Sequence, residues 1–194
     1  MELWREKERA EKKKKLLTFF LVGFGLGVFY IIFLGHSENS NMLMSSYFFS
    51  KYQYMEYSPL DLLGYILKLR IPTLAFLWLM GLTVAGSIMV LGFSLWTGFS
   101  LGLIWTMAVT KLGMAGLLLC LMSMIPQYFV YFPTFTYGLL RIYEMAQNKK
   151  MTQNKKVLGV YVGAFLVTAG LVLVGAILES YVNPWLLKTL IKKM

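Results

Sequence analysis

Residues 72–110 read PTLAFLWLMGLTVAGSIMVLGFSLWTGFSLGLIWTMAVT, a run of 39 positions without one charge. As a single helix it would extend about 58 Å, nearly twice the roughly 30 Å of bilayer hydrocarbon. It must therefore turn. The turn is expected near Ser94, Trp96 and Gly98, giving a span at 73–93 and a second at 96–110. The second is about 22 Å long by helical rise, so it reads as thin, as extended across the turn, or as partly re-entrant.

Working outward, the flanks repeat the pattern. Residues 16–34 form an apolar run behind a basic arm at 1–15 that holds Arg5, Lys7, Arg9 and Lys12 to Lys15. Glu2, Glu6 and Glu8 interleave with these bases and favour a helical extension of the first span. No small-x-small cleavage site follows the run, where Gly35, His36, Ser37 and Glu38 stand, so it reads as an uncleaved signal anchor. Downstream, Lys111 and Gly113 mark a turn, and 114–140 forms a fourth span kinked or broken by Pro126 and Pro133. A basic loop at 141–156 carries the echo Gln147-Asn148-Lys149-Lys150 and Gln153-Asn154-Lys155-Lys156. Residues 157–178 make the fifth span, and 179–194 the tail, with Tyr181, Pro184 and Trp185 at interfacial depth.

The fold class expected is all-α: a polytopic membrane bundle of about five transmembrane helices with a kinked fourth, in which 16–194 is one membrane domain. Composition agrees, at 58% hydrophobic residues with a net charge of +10 and a mean hydropathy of +0.62. Too few polar residues remain to cover a water-soluble surface. By the positive-inside rule the arm and the 141–156 loop lie in the cytoplasm. Lys188, Lys192 and Lys193 then fall outside, against the rule. The basic groups flank apolar spans rather than forming one groove, so they suit anionic lipid headgroups, and no nucleic-acid partner is expected.

The segment 35–71 reads as an outer loop, nearly neutral and dense in tyrosine. Ser58-Pro59-Leu60-Asp61 is a helix start, with an N-cap, a first-turn proline and a first-turn acid. The helix behind it, around 62–67, is expected to lie on the bilayer surface. The loop is the best docking surface for an extracytoplasmic partner, or else a connector resting on lipid.

Small residues four apart occur as Gly23/Gly27, Gly98/Gly102 and Gly159/Gly163. Such stripes let helix backbones approach closely, within the bundle or across a homo-oligomer face. Gln127, beside Pro126, can satisfy a carbonyl that a proline frees, or face a partner helix. Glu179 ends the last span, where it can pair with Lys188 or cap a neighbouring helix. Spans one, two, three and five hold no deep charge, which argues against ion-coupled transport. His36 is the one histidine and Cys120 the one thiol. No metal site, no cofactor and no catalytic residue is expected, and so no enzyme.

The run from Gly92 through Gly98 and Gly102, the Lys111-Leu112-Gly113 turn, Pro126-Gln127, Pro133 and the closing Glu179 and Pro184 together resemble the stage II sporulation protein M family. Resemblance covers the chain from the second span to the tail. It implies a multispanning bacterial membrane protein of the mother-cell septal membrane, needed for forespore engulfment. It also implies a scaffold for two peptidoglycan-degrading partners, stage II sporulation proteins D and P. The rival reading is a permease-like subunit of a transport system.

Overall fold

The computed structural model describes the backbone over 2–34, 58–147 and 155–191, with most of the side chains in those segments. Four helical elements result: α1 (Glu2–Leu34), α2 (Pro59–Met80), α3 (Gly86–Gln147) and α4 (Lys155–Ile191). The α3 backbone leaves helical geometry only at Gly113, at φ 59° and ψ −143°. A positive φ there is accessible to glycine because no Cβ meets the neighbouring carbonyl. The chain reverses at that point into two legs, 86–112 and 114–147. Their antiparallel pairing shows in Gly86 beside Ala146 and in Phe93 against Phe135, ring centroids 6.2 Å apart.

Among the described residues, four helices are long and apolar enough to cross a membrane: Lys7–Phe33, Pro59–Met80, Gly86–Thr110 and Lys155–Val182. The second leg of α3 packs antiparallel to the first and is charge-free over 114–140. The protein is a helical bundle and a multi-pass membrane protein. Its exterior is as apolar as that reading requires: Phe33, Ile88 and Phe129 are 67%, 74% and 79% exposed. Side chains of this kind in such number suit lipid as the surrounding solvent.

Four boundaries differ from those expected. Helix α3 runs on to Gln147, into the loop placed at 141–156, and α4 runs on to Ile191, through most of the tail placed at 179–194. The turn placed at Ser94, Trp96 and Gly98 lies instead at 81–85. Gly81 N–H closes α2 on the carbonyls of Leu77 and Trp78 at 3.1 and 3.2 Å, and Thr83 Oγ1 donates to the Met80 carbonyl at 2.7 Å. These bonds satisfy the last carbonyls of α2 inside a tight connection. The 73–93 and 96–110 spans are thereby replaced, and the leg that contains Gly98 is not short. The segment 59–71 is also no surface helix. It is the first half of α2, which begins at Pro59 as the capping signature indicated, with Asp61 in its first turn. Pro126 and Pro133 do not break the second leg, whose backbone stays helical through both. Thr134 Oγ1 donates to the Val130 carbonyl at 2.6 Å beside Pro133.

Packing fixes the direction of each crossing. Ser94 Oγ donates to the Leu16 carbonyl at 3.0 Å. Gly98 then lies on Phe20 and Gly102 on Phe24, so α1 and the first leg of α3 run parallel. By contrast α2 and α4 run antiparallel, with Trp78 beside Tyr161 and Arg70 beside Glu179. One core links all four elements, from Leu16 through Leu77, Trp78, Val90 and Tyr131 to Val172.

Candidate functional site

Arg70 stands near the middle of α2, a helix of 22 residues. A charged side chain at that depth costs roughly 3 kcal/mol on insertion scales unless it is matched. The match comes from α4. Arg70 Nη2 lies 2.8 Å from Glu179 Oε2, with 30% and 20% of the two side chains exposed. Tyr131, on the second leg of α3, donates its hydroxyl to the same carboxylate oxygen at 3.1 Å. The guanidinium carbon stands 4.1 Å from the Tyr131 ring centroid, so the cation is also met by the negative face of the ring. Three helices thus meet at one neutralised charge pair. Tyr131 is held in turn by Gly175, where an added Cβ would come within 2.5 Å of the ring.

A second lock sits near the turn at 81–85. The Tyr161 hydroxyl donates to the Trp78 carbonyl at 2.8 Å, and the two rings stack at 5.0 Å. At the same end of the bundle Arg9 reaches Glu144 at 3.3 Å, which ties the basic arm to α3. We call this the basic end.

Beside the Arg70–Glu179 pair lies a half-open cavity of about 570 Å³. Its long walls are α1 and the two legs of α3, each lining it at helical spacing, and α2 and α4 add one residue each, Arg70 and Glu179. Lys13, Leu16, Leu17 and Phe20 come from α1. Phe93, Ser94, Thr97 and Leu101 come from the first leg of α3. The second leg contributes Tyr128 to Leu139, about 16 Å of wall by helical rise. Because α1 runs away from the basic end, Lys13 marks the near end of the cavity. Arg70, Tyr131 and Glu179 mark the far end.

The residues singled out in the sequence divide sharply. Gly23, Gly27, Gly98 and Gly102 all lie at the α1–α3 contact. A Cβ on Gly98 would strike the Phe20 carbonyl, and one on Gly23 the Leu95 carbonyl. Gly159 and Gly163 pack nothing: an added Cβ at either meets no atom within 4 Å. That stripe faces outward, so its expected packing role within the bundle is corrected. Glu179 is paired across the bundle with Arg70; the side chain of Lys188, the partner expected from the sequence, lies outside the described residues. Pro133 is exposed on the second leg of α3. The side chains of Pro126, Gln127, Pro184 and Cys120, the loop 35–57 with its tyrosines and His36, and the tail lysines Lys192 and Lys193 lie outside the described residues.

Arg70 and Tyr131 were missed by sequence reasoning. One signal was available: counting a span's length from the Ser58-Pro59 start puts Arg70 at its middle. A guanidinium, a carboxylate and a phenol bonded to one another balance each other's charge and hydrogen-bonding capacity across three helices. Among the described residues no group of three His, Cys, Asp or Glu side chains stands where it could hold a metal ion.

No curated protein and no solved structure matches the chain. The family model described as stage II sporulation protein M does match, over residues 16–184. That match takes in α1 from Leu16 onward, α2, α3 and α4 as far as Pro184, and so includes the Arg70–Glu179 pair. This multi-pass helical bundle therefore belongs to the stage II sporulation protein M family.

Proposed function

We propose that the chain is a membrane scaffold of forespore engulfment, seated in the mother-cell septal membrane. In this reading it anchors and organises peptidoglycan-degrading partners, stage II sporulation proteins D and P, and performs no hydrolysis itself. One observation carries the proposal: the family match extends over nearly the whole bundle, 16–184. The chemistry of the polar cluster supports it. Arg70, Glu179 and Tyr131 satisfy one another, which suits rigidity better than turnover. Partner contacts fall to the surfaces outside the bundle core, the 35–57 segment first among them.

The test is cross-linking in sporulating cells followed by purification of the full chain from detergent-solubilised membranes. Recovery of cell-wall hydrolases is expected. Their absence, with the chain itself recovered intact, overturns the scaffold reading.

The rival, a permease-like subunit, draws on two observations: a cation at mid-helix and a half-open cavity beside it. It requires an energising partner, since the sequence holds no nucleotide-binding loop. An ATPase gene adjacent to the coding sequence favours transport, whereas a sporulation locus favours the scaffold.

A further inference from the structure

We propose that the cavity between α1 and the two legs of α3 is a binding site for an anionic phospholipid. The lipid phosphate sits on Lys13, and one acyl chain runs along the groove toward Leu101 and Phe132. The inference is independent of the scaffold reading.

Volume comes first. About 570 Å³ lies inside the range of roughly 300–1,000 Å³ typical of small-molecule sites. Shape follows. The lining repeats at helical spacing on three helices, so the space is elongated along the bundle axis rather than round. A groove of that form fits a chain. The wall is mostly aliphatic and aromatic, with Ser94 and Thr97 supplying hydroxyls near its middle. Both hydroxyl protons are already used within the bundle: Ser94 Oγ donates to the Leu16 carbonyl and Thr97 Oγ1 to the Phe93 carbonyl.

Charge selects the headgroup. Arg70 and Glu179 cancel at the far end. Lys13 remains at the near end, and among the described residues it has no carboxylate partner, whereas its neighbour Lys12 is bonded to Glu8 at 2.7 Å. The lining therefore carries one net positive charge. A basic pocket between membrane helices at the headgroup layer is the setting in which anionic lipids are held. Half-openness lets the second acyl chain stay in the bilayer.

The experiment reconstitutes the full chain in nanodiscs of phosphatidylcholine doped with phosphatidylglycerol, then measures retained lipid by native mass spectrometry. The wild-type chain is expected to enrich phosphatidylglycerol. Lys13→Gln is expected to lower that enrichment about fivefold. Lys14→Gln, which alters the arm but not the lining, is expected to change it by less than twofold. Thr97→Trp fills the groove from an exposed position and is expected to abolish retention while the basic arm stays intact. Equal enrichment in wild type and Lys13→Gln would overturn the proposal. So would retention undiminished by Thr97→Trp, or displacement of the lipid by inorganic phosphate at matched ionic strength, since a free anion site needs no groove.

Discussion

Replacing Arg70 by methionine removes the cation while keeping much of the side chain's length. Its Nη2 lies 2.8 Å from the Glu179 carboxylate, and the side chains are 30% and 20% exposed. Two unit charges at that separation attract by roughly 6 kcal/mol at an effective dielectric constant of 20. Desolvation of the two ions offsets several kcal/mol of this, so the intact pair contributes little net stability. The variant differs because Glu179 then faces the Tyr131 hydroxyl with no counter-charge. Breaking a buried pair costs about 3–5 kcal/mol, and the partial exposure places this case near the bottom, at about 3 kcal/mol. Arg70→Met with Glu179→Leu removes both charges and is expected within about 1 kcal/mol of wild type. The two single losses therefore fail to add. SDS-driven unfolding in bicelles, followed by tryptophan fluorescence, reads all three variants. Single losses below about 0.6 kcal/mol, the average for polar contacts in a membrane bundle, that also add in the double variant would refute the reasoning.

Other substitutions test the rest of the architecture. Gly98→Ala pushes a Cβ into the Phe20 backbone, so a loss of about 1–3 kcal/mol is expected from overpacking. Gly159→Ala meets nothing and is expected to gain up to about 1 kcal/mol from helix propensity; thermal melts in detergent compare the two directly. Gly113→Ala forces alanine to a φ of 59°, with an expected cost of about 1–3 kcal/mol, read by increased protease cleavage at the α3 reversal. Tyr161→Phe deletes the 2.8 Å bond to the Trp78 carbonyl, with about 1 kcal/mol lost and a shift in tryptophan emission.

What the sequence made legible was governed by locality. The Gly113 reversal was readable because a glycine beside a lone lysine interrupts an apolar run. The helix start at Pro59 was readable from capping chemistry, and the end of the basic run placed the last span at 157, two residues inside the helix that starts at Lys155. The Gly23/Gly27 and Gly98/Gly102 stripes stood out as small-residue pairs, but nothing in the spacing distinguished them from Gly159/Gly163. That difference is set by which face α3 covers. The turn at 81–85 stayed hidden because Leu82, Val84 and Ala85 are as apolar as the helices they join. Its backbone bonds are satisfied by one threonine hydroxyl and by the chain itself, so no run of polar residues announces it.

The decisive error came from treating each charge where it stands in sequence. Lys68 and Arg70 within a few residues argue that a span begins after them, and that reading pushes the start of the second span from Pro59 to residue 73 and the next turn from 81–85 to 94–98. Arg70 is neutralised by a carboxylate 109 positions away, which no local window registers. Helix direction supplies the independent check. Because α1 and the leg containing Gly98 run parallel in one register, the chain must recross between Leu34 and Gly86. Among the described residues the helix available for that return is α2, and its antiparallel packing on α4 agrees. A crossing α2 carries Arg70 into the bilayer with it. The Arg70–Glu179 pair is thus a condition of the topology: without the acid on α4, the return span would hold an unmatched cation at its centre.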